Sequence, residues 1–204
     1  MKTVWVIGNE MGYVNMFLAN GWDVVDNMYD ADFVQFTGGA DVSPELYGEE
    51  LHPTTHHSPV RDHKEMAIFE EAVTLGKGLL GICRGAQFLN VMSGGSLWQN
   101  VNGHTIGGTH LLTDVLTKEE VEVSSTHHQM MRKGNKGVFV ATAAGFATKK
   151  ESDTEVVRNS PVDTEVVWYE DTKALCFQPH PEFFEPDHPC QAYYFKLINR
   201  MFGE

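Results

Sequence analysis

The sequence predicts an α/β fold with a central, mostly parallel sheet and some antiparallel strands added. Three observations predict it. Apolar, β-branched runs alternate with helix-patterned segments through the first half of the chain, the order that builds a parallel sheet. Strand patterns cluster in the second half with no helix between them, the order that adds antiparallel strands. One buried run, Gly78-Leu79-Leu80, feeds the turn Gly81-Ile82-Cys83-Arg84-Gly85, and such a turn needs a strand before it and a helix after it.

Residues 3–7 are an apolar, β-branched run ending at Gly8, a first strand. Residues 11–20 carry Met11, Val14 and Leu18 at roughly helical spacing, and Gly21 stops that helix. Residues 22–25 and 33–36 read as short strands, the second running into Thr37-Gly38-Gly39. Residues 40–59 are rich in Pro, Gly, Asp and His and read as a long loop of the kind that serves function. Residues 61–75 predict a helix, with Met66, Phe69 and Val73 on one face, Ile68 and Ala72 beside them, and Gly76 at its end. A helix over about residues 85–92 follows the Cys83 turn and is broken by Ser93-Gly94-Gly95. Residues 110–116 and 119–124 alternate as paired strands, and residues 138–142, 165–169 and 174–177 are three more. Residues 149–163 are polar and read as a surface excursion, and the last helix covers about residues 189–201. No repeat, low-complexity tract or linker interrupts the chain, so residues 1–204 read as a single domain.

A hydrophobic fraction of 42% and a charged fraction of 21% belong to an ordinary globular protein. The net charge of -13 repels phosphates, which argues against a nucleic-acid partner and disfavours an anionic membrane surface. The cysteines Cys83, Cys176 and Cys190 are odd in number and irregularly spaced, as free thiols in a reducing compartment are. The first residues carry no signal-peptide core, and no apolar run approaches membrane-spanning length. The expectation is a cytoplasmic protein.

Cys83 has a glycine two residues to either side. A sharp strand-to-helix turn leaves no room for neighbouring side chains, lifts the nucleophile clear of the sheet and sets it at a helix N-terminus. There the helix dipole and free N–H groups favour negative charge on sulfur. A thiolate nucleophile needs a base and a group that orients the base. The chain offers ten histidines. His180-Pro181-Glu182 follows the apolar run 174–177, which puts His180 on the rim where α/β active sites form. Glu182 can fold back to accept a hydrogen bond from the imidazole, and Pro181 stiffens that geometry. Cys83, His180 and Glu182 are therefore the candidate catalytic residues. Oxyanion donors are the Arg84 backbone N–H and the strand-end pair Gly38-Gly39.

These residues carry a resemblance. A glycine pair after a strand, then Gly-Ile-Cys-Arg-Gly-Ala-Gln, then a distant His-Pro-Glu resembles the class I glutamine amidotransferases, most closely their γ-glutamyl-γ-aminobutyrate hydrolase-like branch. Further segments support it in the family's order: Phe36 through Pro44 with Tyr47-Gly48, Arg61-Asp62 with Glu65, Asn90-Val91 with Gly94 through Leu97, and Ser125-Thr126-His127-His128-Gln129. The resemblance implies a doubly wound, flavodoxin-like sheet with helices on both faces. It implies cysteine-dependent hydrolysis of a γ-glutamyl amide through a thioester, with Gly39 and Arg84 as the oxyanion hole. Gly38, Gln87, Ser125, His127, His128 and Gln129 would contact substrate. No metal or organic cofactor is implied. The stretch before Gly38 is shorter than the branch usually has, so a helix of the sheet is expected to be trimmed or missing. Ser124 stands where the branch often has Asn.

Two activities share this chemistry. One is a glutaminase that delivers ammonia from glutamine to a separate synthetase. The other is a free-standing γ-glutamyl hydrolase acting on a small amine or peptide. A redox sensor built on the same cysteine is a third reading, but it has no need for His180 and Glu182. The oligomeric state stays open, a homodimer included. His104, His110, His127 and His128 raise the question of a metal. No carboxylate or cysteine stands at tight ligand spacing beside them, so they read as pocket-lining or solvated. Cys176 and Cys190 read as packing residues. Arg84 either meets a substrate carboxylate or pairs with Glu65 or Asp41.

Overall fold

In this computed structural model residues 2–143, 148–160 and 162–203 are described. The first half alternates as its sequence pattern requires. β1 (Thr3–Val6), α1 (Met11–Ala19), β2 (Asp23–Val25), β3 (Phe33–Phe36), α2 (Pro59–Thr74), β4 (Gly78–Ile82) and α3 (Arg84–Met92) follow one another. The second half is nearly all strand. It runs β5 (Ser96–Trp98), β6 (Asn100–Val101), β7 (Thr105–Asp114), β8 (Glu120–Thr126), β9 (Met130–Arg132) and β10 (Val138–Ala143). Then come β11 (Thr148–Glu151), β12 (Val156–Ser160), β13 (Asp163–Tyr169), β14 (Ala174–Phe177) and the closing helix α4 (Pro189–Phe202).

The main sheet has the order β2-β1-β3-β4-β14-β13-β10-β7-β8. Strands β2 through β14 of that order are parallel, and β13, β10, β7 and β8 continue it antiparallel. The expected mostly parallel core with an antiparallel extension is therefore present. Strands β3, β4 and β14 are buried on both faces, as central parallel strands are. Leu80, Ile82, Leu175 and Phe177 point to one face, against Phe17 of α1 and Tyr194, Leu197 and Ile198 of α4. Leu79, Val34, Phe36 and Cys176 point to the other, against Phe69 of α2 and Phe88 and Leu89 of α3. Burying each large side chain contributes about 1.5–3 kcal/mol, so this two-sided core is what fixes the ends of β3, β4 and β14.

Two departures matter. No helix joins β2 to β3, in line with the shortened stretch before Gly38. Strand β2 is only three residues long, roughly 10 Å at 3.3 Å per residue, so an extended connection reaches back without one. Polar bonds hold it instead: Lys77 Nζ donates to the carbonyls of Tyr29 (3.2 Å) and Ala31 (2.6 Å). The segment read as a polar surface excursion is a correction. Residues 148–160 form the β11–β12 hairpin, which pairs with β6, and β13 already begins at Asp163. Pro161 of that segment lies outside the described residues. Among the described residues no helix is long and apolar enough to cross a membrane.

Candidate active site

Three adjacent parallel strands, β3, β4 and β14, end at one rim and deliver the candidate residues to it. Cys83 follows β4 with φ 52° and ψ -112°, a strained conformation for a residue with a Cβ. Its amide donates to the Phe177 carbonyl of β14 at 3.0 Å, which pins the turn to the sheet. The flanking glycines are required by close approach. A Cβ on Gly81 would come 2.6 Å from the Gly85 carbonyl oxygen, and one on Gly85 would run into the backbone carbonyl of Phe36.

His180 lies just beyond β14. A short 3-10 turn, Pro181–Phe183, folds Glu182 back, and Glu182 Oε1 sits 2.5 Å from His180 Nδ1. Phe183 stacks on the imidazole at 4.2 Å, and the His180 amide donates to Ser124 Oγ at 2.8 Å. The ring also contacts Cys83. Burial pulls the His180 pKa down, but the contacts with Cys83 and Glu182 outweigh it and push the value up to about 10. The imidazole is thus held as a cation between sulfur and carboxylate at neutral pH.

The end of β3 lies beneath this pair. A Cβ on Gly38 would come 2.9 Å from His180 Cε1 and 3.8 Å from Cys83 Cβ, so only bare backbone fits. The Gly38 N–H is committed to the Tyr13 hydroxyl at 2.8 Å. Gly39, at φ 133°, is the next donor along. On the other side Arg84 opens α3, where the first N–H groups of a helix have no intrahelical partner. Glu10, Tyr13, Gly38, Gly39, Arg61, His180, Glu182 and Phe183 line a cleft of about 420 Å³ at this point.

The Arg84 side chain does not reach that cleft. It is 1% exposed and paired with both Asp62 and Glu65, over the Phe88 ring at 4.8 Å. Of the alternatives open in the sequence, pairing with Glu65 is realised, with Asp62 beside it. Burial pulls the guanidinium pKa down, and the two carboxylates oppose that shift. Asp41 is engaged elsewhere, accepting from the His56 amide at 2.7 Å and lying 3.0 Å from His128 Nε2. That contact raises the His128 pKa.

The remaining expected contacts divide. Gln87, on the first turn of α3, is buried and donates to Gln178 Oε1 at 3.2 Å. Gln129 is buried and donates to Thr55 Oγ1 at 3.1 Å, and Ser125 is wholly buried on β8. His128 is half-buried. His127 turns inward, with Nδ1 2.8 Å from the Gln129 carbonyl and Nε2 3.6 Å from Glu165 Oε1. The reading of His104, His110 and His127 as pocket-lining or solvated is corrected here: all three are buried around Glu165. The carboxylate that tight spacing failed to supply comes from β13. Cys176 and Cys190 are wholly buried, and burial pushes both thiols up, as packing residues require.

Two residues escaped the sequence reading. Tyr13 was hidden in an amphipathic helix pattern. Arg61 stood in a supporting segment without a role, and its guanidinium donates to the Gly38 and Thr37 carbonyls at 2.8 and 3.0 Å while pairing with Glu65 at 2.7 Å.

The Peptidase C26 family model matches residues 13–182, the stretch from Tyr13 to Glu182. A provisionally named glutamine amidotransferase of Mycobacterium tuberculosis is 38% identical over 125 residues, covering 52% of this chain and 40% of that protein. A provisionally named glutamine amidotransferase-like protein of Lactococcus lactis subsp. cremoris is 42% identical over 103 residues, covering 50% of this chain and 52% of that protein. The matches thus span about half the length of these relatives or less. Among solved structures, a glutamine amidotransferase from Thermotoga maritima superposes with a TM-score of 0.66 at 16% identity, over 100% of this chain and 99% of its own. A protein from Thermoplasma acidophilum, provisionally described as one of the subunits of a GMP synthase, gives 0.59 at 14% identity over 100% and 98%. At such identities the likeness is one of fold, the doubly wound flavodoxin-like sheet. The family match over residues 13–182 goes further, and by it this chain belongs to the Peptidase C26 family, of the class I glutamine amidotransferase type.

Proposed function

We propose that this chain is a glutaminase that hydrolyses the side-chain amide of glutamine through a thioester on Cys83 and passes the ammonia to a separate synthetase. The observation that carries the reading is the meeting of Cys83, His180 and Glu182 over the glycine end of β3. Cys83 Sγ attacks the side-chain carbonyl carbon, and the carbonyl oxygen takes the charge, held by the N–H groups of Gly39 and Arg84. His180, a cation oriented by Glu182, gives its proton to the leaving nitrogen as the C–N bond breaks. Ammonia leaves and a γ-glutamyl thioester remains. Water then gives a proton to His180 and attacks the thioester, which releases glutamate and returns the sulfur to the imidazolium. Gln87, at the foot of α3, is the candidate contact to the glutamyl group. The neighbour described as part of a GMP synthase favours a synthetase partner.

The family's description as a peptidase favours a second reading, a free-standing hydrolase of γ-glutamyl amines or peptides. Steady-state assays of the purified protein with glutamine and with a γ-glutamyl amine separate the two. Turnover of glutamine is expected, with only slow turnover of the amine; the reverse preference replaces the first reading with the second. Cys83→Ala is expected to abolish both activities, and His180→Ala to lower kcat by roughly 10²–10⁴-fold. With His180 at about 10, kcat is expected to hold through neutral pH and to fall as pH rises through that value, because the proton donor is lost. Normal turnover in Cys83→Ala would sink both readings.

A further inference from the structure

Behind the rim, on the antiparallel side of the sheet, Glu165 of β13 is wholly buried. Three imidazole nitrogens converge on its Oε1: His104 Nδ1 at 3.5 Å, His110 Nε2 at 3.3 Å and His127 Nε2 at 3.6 Å. These separations exceed the usual N–H···O range. They match the edges of a small tetrahedron, because ligand atoms 2.0–2.2 Å from one zinc ion stand roughly 3.3–3.6 Å apart. The facing atoms of His104, His110 and Glu165 all lie within 4.8 Å of one another.

The far nitrogens of His104 and His127 are held as those of metal-bound histidines are. His104 Nε2 is 2.7 Å from Asp163 Oδ2, and Lys150 Nζ holds the other Asp163 oxygen at 2.7 Å. His127 Nδ1 is 2.8 Å from the Gln129 carbonyl. A carboxylate or carbonyl on one ring nitrogen keeps the proton there and leaves a lone pair on the other, the arrangement that supports metal-bound histidines. The His127 Nε2 atom and both Glu165 oxygens are buried without a hydrogen-bond partner among the described residues. An isolated carboxylate in such a place is costly unless a cation meets it.

We propose that His104, His110 and Glu165 bind one divalent transition-metal ion, zinc in type, in a buried structural site with His127 beside it. All three ligands are buried, as those of a structural ion are, so the ion's work is architectural. It ties β7 to β13 beside the turn after β8, where His127 lies. That turn carries His128 and Gln129, and β8 carries Ser124, which holds the His180 amide. The site rests on the fold and stands apart from the hydrolysis proposed above.

Protein expressed in zinc-supplemented medium and purified without chelator is expected to carry about one zinc per chain by elemental mass spectrometry. Chelator-stripped protein reloaded with Co²⁺ is expected to show the intense visible bands of tetrahedral cobalt. Glu165→Gln and His110→Ala should lose both signals, while Cys83→Ala keeps them. Should the first two variants fail to fold, the wild-type protein still decides the matter, since zinc should raise its Tm on the order of 5 °C over the stripped form. A wild-type chain with no metal, no cobalt bands and no zinc-dependent Tm overturns the proposal. So does metal lost in Cys83→Ala but kept in Glu165→Gln, which would place the ion on the Cys83 sulfur.

Discussion

Tyr13 shows what a single residue contributes at this rim. Its hydroxyl accepts the Gly38 N–H at 2.8 Å and faces Glu182 and Cys83. Burial first, and then the charge of Glu182, push its pKa far up, so it stays a neutral phenol. Tyr13→Phe leaves the Gly38 N–H unsatisfied directly below the imidazole. One buried hydrogen bond is worth about 1–1.5 kcal/mol, so kcat for the proposed hydrolysis is expected to fall about tenfold while KM changes little. Steady-state kinetics of the folded variant check this, and an unchanged kcat would remove Tyr13 from the positioning of the Gly38 backbone. The meeting of Cys83, His180 and Glu182 was legible in the sequence because turn chemistry and a two-residue spacing are local facts. The Tyr13 contact was not, since it joins residues 25 apart, and nothing in a helical pattern says which polar tip will meet a strand end. The Arg84 side chain was undecidable for the same reason: its partners sit one helix away.

Helix α2 is the element that couples the parts of the rim. On its inner face Arg61 grips the carbonyls at the end of β3, while Asp62 and Glu65 hold Arg84 at the start of α3. Asp62 also accepts from the Ser43 hydroxyl at 2.5 Å, which fixes the loop that follows Gly39. Glu65 joins both halves, since it meets Arg61 and Arg84 together. Glu65→Ala leaves a guanidinium buried with one partner fewer. Breaking a buried pair from one side costs about 3–5 kcal/mol, so a fall in Tm on the order of 10 °C is expected by calorimetry. A variant as stable as the parent would mean that Asp62 alone suffices for Arg84. The helix itself was plain from its apolar spacing, as were β1, β3, β4 and β14. The β11–β12 hairpin was missed because its polar sequence gives no strand pattern of its own. It is a strand pair through contact with β6, about fifty residues earlier, and through the burial of Lys150 against Asp163.

At the scale of the whole molecule, the antiparallel extension must be fastened to the parallel half, because β8 reaches back to hold His180. Part of the fastening is apolar, with Leu112, Val121, Val123 and Val140 in one cluster with Tyr193 and Leu197 of α4. The polar part is Asp114, wholly buried at the end of β7. It accepts from the Tyr193 hydroxyl at 2.6 Å and pairs with Arg200 at 2.8 Å, both on α4. The amides of Leu116 and Thr117 donate to its other oxygen at 2.9 and 2.8 Å. Burial alone would raise the Asp114 pKa, but Arg200, the Thr117 amide and Tyr193 outweigh it and hold the carboxyl well below the usual range. A carboxylate whose folded pKa is depressed stabilises the fold above the ordinary carboxylate pKa, near pH 4, and loses that contribution as pH falls toward the folded value. Asp114→Asn keeps the shape and removes the charge. At pH 7 it is expected to be less stable than the parent by about 3 kcal/mol in urea unfolding. That gap should hold down to about pH 5 and narrow steadily below pH 4, as protonation of Asp114 makes the parent resemble the variant. A gap that stays constant into acid would put the pH-sensitive fastening elsewhere and leave the apolar cluster as the main bond between the two halves of the sheet.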